Sequence, residues 1–426
     1  MPEMKSSGIE WIGIIPVDWD IGRIGGLYSL RNTKVSDKDY APLSVTMKGI
    51  VPQLETAAKT NDGDNRKLVR TGDFVINSRS DRRGSCGISH YDGSVSLINT
   101  VLTPRDKMVP GYYNWLFHTT NFSDEFYKWG HGIVDDLWTT NWQDMKKIMI
   151  PVPPLDEQER IVNFLDEKCG QIDSLIADIQ SQIDTLEEYK KSVITEAVTK
   201  GLNPDVEMKD SGLPWIDKIP ENSWVMKIKY LVSKPITDGT HQTPEYADYD
   251  TGSPFLSSKD VTKGYIDWSN IKYITQSLHK KLYKETPSQK GDLLLAKNGT
   301  TGVAALVDTD DIFDIYVTLA LIRPDTNLIL PKYLLYAINC SLTKHQFNEH
   351  LIGIGVPNLH LNVIENTKLV IYSINEQQEI SDYLDAKCSE IDAILSDKKE
   401  QLSTLAEYKK SLIYEYVTGK KEVAAA

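Results

Sequence analysis

Residues Glu157–Thr199 read EQERIVNFLDEKCGQIDSLIADIQSQIDTLEEYKKSVITEAVT, and Glu376–Thr418 read EQQEISDYLDAKCSEIDAILSDKKEQLSTLAEYKKSLIYEYVT. The two copies align without a gap at a constant offset of 219 residues, and about half of their positions are identical. A repeat of this length governs the architecture and has to be read before anything else. In the first copy Ile172, Ile176, Ile179, Ile183, Leu186, Val193 and Ala197 alternate at steps of four and three, with one position, Lys190, skipped. Ile391, Leu395, Leu402, Leu405, Leu412 and Tyr416 keep the same register in the second. A 3.5-residue apolar seam flanked by charge is the pattern of a coiled coil. Neither copy contains proline, so each predicts one helix of about 40 residues, roughly 60 Å long at 1.5 Å per residue. A seam of that length needs a partner as long as itself, and the other copy is the candidate.

The repeat extends upstream of the helix. Met4–Trp11 (MKSSGIEW) with Ile15-Pro16 and Trp19 returns at an offset of 204 as Met208–Trp215 (MKDSGLPW) with Ile219-Pro220 and Trp224. Each unit is therefore a short Gly/Pro/Trp lead-in, a globular stretch and a long helix. The growth in offset makes the second globular stretch about 15 residues longer than the first. Gly201 followed by Asn203-Pro204 is a helix stop and marks the boundary. The organisation expected is 1–154 globular, 155–200 helix, 201–373 globular, 374–421 helix and a 422–426 tail.

The globular stretches are less alike, yet Arg70–Ile76 matches Gln289–Leu295, Leu102-Thr103-Pro104 matches Ile322-Arg323-Pro324, and Pro110-Gly111-Tyr112 matches Pro331-Lys332-Tyr333. Short β-rich runs such as Gly302–Val307 and Tyr316–Ile322, separated by Gly, Asp and Asn turns, predict two mostly-β domains. A few helices, such as Gly111–Thr119 and Pro331–Ser341, are expected among them. The fold class is α+β.

At 426 residues, 40% hydrophobic, with nine Trp and 21 Tyr, the chain has material for two packed cores. No apolar run is long enough for a membrane span and the N-terminus lacks a signal-peptide pattern, so a cytoplasmic protein with no membrane partner is expected. Cys169 and Cys388 are repeat equivalents, Cys86 and Cys340 stand alone, and no zinc-type spacing occurs, so buried thiols are expected and no metal.

The order domain, helix, domain, helix, together with PVPPLDEQERIVNFLD at Pro151–Asp166, DGTHQTPEY at Asp238–Tyr246 and GSPFLSSKDVTKGYI at Gly252–Ile266, resembles the specificity subunits of Type I restriction–modification systems over essentially the whole chain. That resemblance implies two target-recognition domains on double-stranded DNA, each reading one half of a split sequence, with the antiparallel helices as spacer. It further implies docking of two methyltransferase subunits that modify adenine with S-adenosylmethionine, restriction subunits consuming ATP with Mg²⁺, and a role in anti-phage defence. No cofactor is expected on this chain itself.

Taken over the whole chain, a net charge of −13 opposes DNA binding, which Lys and Arg drive. The acids are, however, concentrated in the helices: 155–200 holds 11 acids and 5 bases, and 374–421 holds 10 acids and 7 bases. Within the globular parts Arg66, Lys67, Arg70, Arg79, Arg82 and Arg83 stand against Asp73 and Asp81. At the corresponding place Lys280, Lys281, Lys284, Lys290 and Lys297 stand against Glu285 and Asp292. Each basic stretch alone reads as an ordinary solvated loop, and their equivalent positions favour two DNA contacts. Asn77, Arg79, Arg82 and Arg83 are the base-reading candidates of the first domain, since Arg grips guanine and Asn adenine. Those of the second are Thr240, His241, Thr243, Ser258, Lys259, Lys297, Asn298 and Thr300. The competing readings are ordinary: Asp238-Gly239 is a turn in any case, His241 a surface histidine, Asn298-Gly299 a hairpin turn.

Catalysis by this chain has little support. There is no P-loop, no HExxH and no Asn-Pro-Pro-aromatic motif; Asn203-Pro204-Asp205 comes nearest and serves as a helix stop. Asp166-Glu167-Lys168 and Asp385-Ala386-Lys387 lie in the helix repeat, where surface ion pairing accounts for them. The competing function is a coiled-coil scaffold whose two domains bind proteins rather than DNA.

Overall fold

The structure, a computed structural model, describes residues 3–55, 62–132, 138–285, 287–351 and 358–423; the terminal Ala424-Ala425-Ala426 lies outside them. Two helices dominate, Leu155–Lys200 with 46 residues and Ile374–Val417 with 44. Asp156 and Glu157 in the first turn of one, Glu376 in that of the other, and Lys200 at the end of the first complement the helix dipoles. The chain divides into two compact units, Met1–Gln180 with Lys399–Ala426 and Ser181–Lys398. Each unit contains one globular part and a portion of both long helices.

Within each unit the helices run antiparallel. In the first, the rings of Phe164 and Tyr416 are 4.4 Å apart and Lys409 Nζ reaches Asp173 at 2.6 Å, so moving forward on one helix moves backward on the other. In the second, Lys190 Nζ reaches Asp392 at 2.6 Å, while Val193 and Ala197 join the core that holds Ile380 and Leu384. Ile172, Ile179, Ile183, Val193 and Ala197 are buried along the seam, as are Ile391, Leu395 and Leu412. The skipped position has its explanation here. Lys190 and its repeat equivalent Lys409 each cross to an aspartate of the other helix, and those aspartates, Asp392 and Asp173, are themselves 219 residues apart. Exposed pairs of this kind contribute about 0–1 kcal/mol each, so they fix register more than stability.

In the first unit, Met4–Ser6 and Ile14–Pro16 form a hairpin, and Asp20–Arg23 pairs with Met149–Val152, joining the two ends of the globular part just before the helix begins. Between them stand a four-stranded antiparallel sheet in the order Cys86–Ile88, Phe74–Asn77, Asn99–Pro104, Tyr28–Arg31, and a three-stranded one in the order Gly93–Val95, Arg66–Val69, Lys34–Val35. The helix Pro110–Phe117 starts on proline at its first turn, and Thr119 caps Thr120–Lys128 by accepting from Phe122 N at 3.2 Å. These helices place Tyr112, Tyr113, Phe117, Phe122 and Phe126 against Tyr28 and Phe74 in an aromatic core. Tyr112 donates its hydroxyl to Val417 O, tying that core to the end of the second long helix.

The second unit repeats the plan. Met208–Leu213 and Ile216–Pro220 form the hairpin, and Trp224–Lys227 pairs with Lys368–Ile371. The four-stranded sheet runs Thr237–Asp238, Leu319–Ile322, Leu293–Ala296, Ala304–Leu306. A three-stranded sheet, Lys272–Ile274, Ser253–Leu256, Asp314–Ile315, includes a parallel pair. Three details recur at the repeat offset. Gly72 and Gly291 turn with φ of 88° and 93°; a buried aspartate follows each, Asp73 gripped by Arg31 and Asp292 by Arg323; Gln158 and Gln377 accept from Val109 N and Leu330 N ahead of the equivalent helices.

Two expectations need correcting. Lys280, Lys281 and Lys284 are not on a loop but on the helix Gln276–Glu285, whose Leu282 is buried. Arg66 and Lys67 belong to the strand Arg66–Val69, so part of the first basic stretch points into the fold.

Candidate nucleic-acid interface

The two strands Phe74–Asn77 and Leu293–Ala296 end in loops that the structure makes equivalent. Arg79 bridges Thr139 and Asn298 bridges Asn358, both pairs related by 219 residues. Beside them Thr140 N donates to Ser78 O at 3.0 Å, and Leu359 N to Lys297 O at 2.8 Å. A backbone contact from a distant segment thus steadies each loop at the same point.

In the first unit this loop carries Arg79, Arg82 and Arg83 around the short helical turn Ser80–Arg82. Asn77 Oδ1 accepts from Arg79 N at 3.1 Å, which orients the start of the loop. Arg82 is 67% exposed and only loosely paired with Asp81 at 3.7 Å. Arg83 leans over the Tyr127 ring and pairs with Asp124 at 2.8 Å, an exposed contact that a phosphate can displace. The other candidates divide differently. Arg66 is 4% exposed, with its guanidinium on Ser94, and burial lowers its pKa. Lys67 gives its ammonium to Asn99 O at 2.6 Å, and burial lowers its pKa too. Both hold the sheet together and are removed from the DNA-contact set. Arg70 sits on Asp92 and Tyr40, where the hydrogen bond to Asp92 raises its pKa.

In the second unit, Asp238-Gly239-Thr240-His241 lies against the strand end at Ile315. Thr240 N donates to Ile315 O and Val317 N to Thr240 O. A Cβ on Gly239 would lie inside contact distance of the Ile315 carbonyl, so glycine is required for close backbone approach. Lys297, a candidate base reader, is buried beside this turn with its side chain 8% exposed and its ammonium 2.5 Å from Asp238. It cannot reach a base while it holds that position, and it too leaves the contact set. His241 is 73% exposed, with Nε2 3.3 Å from Asp238 Oδ1. Thr243 and Thr300 are exposed, and Asn298 half-buried. Ser258 and Lys259 form a short turn capped by Ser257 and Asp260, with Lys259 Nζ on Asn270 O at 3.2 Å. Lys280 and Lys281 are exposed on their helix.

Asp238, Thr240 and His241 line one wall of a cleft of about 330 Å³, and Lys281, Leu282 and Glu285 line the other, with Asp314 between them. His279 Nδ1 meets Asp314 Oδ2 at 2.7 Å and clamps the helix to the sheet. Burial raises the Asp314 pKa against the opposing pull of His279. The sequence reading missed Asp314, Glu285 and Gln242. Asp314 stands in the apolar run Ile312–Tyr316, where a lone carboxylate is itself a signal. No group of three or more potential metal ligands occurs among the described residues, and no helix is long and apolar enough to cross a membrane.

Comparison with known proteins agrees with this layout. Residues 16–187 and 244–404 match the family described as Type I restriction modification DNA specificity domain. The Type I restriction enzyme MjaVIII specificity subunit of Methanocaldococcus jannaschii is 25% identical over 426 residues, covering 96% of this chain and 94% of that protein. The Type I restriction enzyme EcoBI specificity subunit of Escherichia coli is 24% identical over 242 residues, covering 55% of this chain and 50% of that one. Among solved structures, a chain from work on assembly and conformational transition of the type I R-M system superposes with a TM-score of 0.72 at 15% identity, covering 96% of this chain and 99% of that one. The HsdS subunit from Thermoanaerobacter tengcongensis gives 0.51 at 15% identity, covering 96% and 98%. With two matched segments, one in each half of an internally repeated chain, the protein belongs to the Type I restriction–modification DNA specificity family.

Proposed function

We propose that this chain is the DNA-reading subunit of a Type I restriction–modification enzyme, each of its units recognising one half of a split double-stranded target. The observation that carries this reading is the pair of equivalent loops at Arg79 and Asn298, steadied by the same backbone contacts 219 residues apart. Two copies of one loop bearing different side chains are what two different half-sites call for. Arg82 and Arg83 in one unit, and Lys259, Lys280 and Lys281 in the other, supply exposed cations for phosphates. Arg79, Asn77, Thr240, His241, Thr243, Ser258, Asn298 and Thr300 supply groups for base edges.

The long helices are continuous over 46 and 44 residues, and in this reading helix length sets the unread spacer between half-sites, as dimer geometry does elsewhere. The chain performs no catalysis. Two methyltransferase subunits dock on it and bring S-adenosylmethionine; restriction subunits with ATP and Mg²⁺ join the same assembly in the cytoplasm. Exchanging residues 20–150 for the equivalent domain of another family member tests the modular reading. One half of the recognised sequence should change and the other should not; a change in both halves refutes it. The scaffold alternative predicts no sequence-selective DNA binding, whereas the DNA reading predicts selective binding whose log affinity falls linearly with log salt concentration.

A further inference from the structure

The cleft beside His241 has properties that a general DNA-contact surface does not require. Its walls come from the Asp238–Gln242 turn and the Gln276–Glu285 helix, and it holds about 330 Å³. Acceptors dominate it. Asp238 and Glu285 contribute carboxylates, and Asp314, 2% exposed, has Oδ2 on His279 while Oδ1 meets no donor. Lys281 stands on the helix wall as the one ammonium lining the cleft among the described residues. Carboxylates in this number repel a phosphate and the acceptor edges of guanine and thymine. They favour a group that donates.

Above the cleft stands an ordered relay. The Lys297 ammonium holds Asp238 Oδ2, and Asp238 Oδ1 faces His241 Nε2. A carboxylate accepts only, so Nε2 is the donor in this contact and Nδ1 is the ring nitrogen left outside it. The turn itself is fixed by the bridge between Thr240 and Tyr316 and by the close approach at Gly239. His241 is exposed, yet its ring meets a carboxylate that the buried Lys297 holds in place.

We propose that this cleft is the specificity pocket of the second unit, taking the major-groove edge of a base with an exocyclic amino group, adenine or cytosine, with His241 Nδ1 accepting from that amino group. Lys297 is then a positioning residue: it touches no DNA and acts by holding Asp238, which orients His241. Glu285 rejects acceptor edges, and Lys281 meets the neighbouring phosphate. The inference rests on the DNA-reading function proposed above and adds the base class and the reader.

The test uses the full chain assembled with its methyltransferase subunits in a methylation-free host, with modified sites mapped for wild type, His241→Ala, Lys297→Met and Lys297→Arg. The half-site belonging to the second unit is the one left unchanged when residues 20–150 are exchanged. His241→Ala and Lys297→Met should both relax the requirement at one and the same base pair of that half, by about tenfold for one lost hydrogen bond. Lys297→Arg should retain it, and the other half should be untouched. If both variants keep the full motif, or weaken every site equally without changing base preference, the pocket assignment is overturned. His241 is on the surface, so His241→Ala reads specificity even if Lys297→Met fails to fold. If the wild-type complex shows no two-part motif, the DNA-reading function itself fails, a result distinct from the preceding ones.

Discussion

Replacing Asp292 by alanine removes the centre of the second unit's polar keystone. Asp292 is fully buried and accepts from Arg323 Nε and Nη2, both at 2.7 Å, and from Gln289 N at 2.8 Å. Arg323 is 11% exposed and, with Asp292 gone, keeps among the described residues only the Pro287 carbonyl. Breaking a buried ion pair from one side costs about 3–5 kcal/mol, because the surviving charge stays desolvated. Against a domain stability of about 5–15 kcal/mol this is a large fraction. With a urea slope of about 2 kcal/mol per molar, the midpoint should fall by roughly 1.5–2.5 M. Hydrogen exchange at the amides of Leu294 and Leu295, the strand next to Asp292, followed across a urea series, localises the loss to this unit. The double variant Asp292→Leu with Arg323→Met, which removes both charges, should recover most of it. A loss under about 1 kcal/mol for Asp292→Ala alone, or a double variant worse than either single one, refutes the reasoning.

Five further outcomes follow from the same structure. Gly239→Ala drives a Cβ into the Ile315 carbonyl, so recognition of the second unit's half-site should weaken at least about tenfold while the first half-site holds, in competition binding. Arg79→Ala and Asn298→Ala should each cost about 1–3 kcal/mol of base discrimination in their own half-site, read from single-mismatch affinities. The Cys169 thiol is buried and its pKa pushed up to about 11 by that burial. The folded chain holds this proton while the unfolded chain, with its lower pKa, releases it, so stability falls as pH rises from the ordinary thiol range toward that value. All four cysteines are buried, and they should resist alkylation at pH 8 until the chain unfolds, as mass spectrometry will record. Inserting four residues after Ile183 and after the equivalent Leu402 should lengthen the recognised spacer; an unchanged spacer would show that the helices are not the ruler.

The helical repeat was legible because a seam of 3.5-residue period runs along both copies, and two of its interruptions, Lys190 and the equivalent Lys409, marked real interhelical pairs. The recurrence of Gly72-Asp73 as Gly291-Asp292 was legible too, since a left-handed turn before a buried carboxylate tolerates few residue types. Counting charges misled where side-chain direction decides. Arg66 and Lys67 sit on a strand, on its opposite faces, and hydrogen bonds to Ser94 and to the Asn99 carbonyl hold them against the fold. Lys297 continues the apolar run Leu293–Ala296, and that context, rather than its charge, announced burial. The helix Gln276–Glu285 buries one side chain, Leu282, so its amphipathic stripe was too thin to separate from a basic loop. The cleft joins residues 238–242 to 281–285 and 314. Neither local pattern nor spacing signals that proximity, which the sheet order creates.

The most direct measurement of the central claim is the methylation map of a methylation-free host that expresses this chain with its methyltransferase subunit, read by single-molecule sequencing. The account predicts one motif in two parts, separated by a fixed number of unread base pairs, with an adenine modified in each part. An assembled complex that leaves the genome unmodified, or that modifies a single uninterrupted motif, would contradict it.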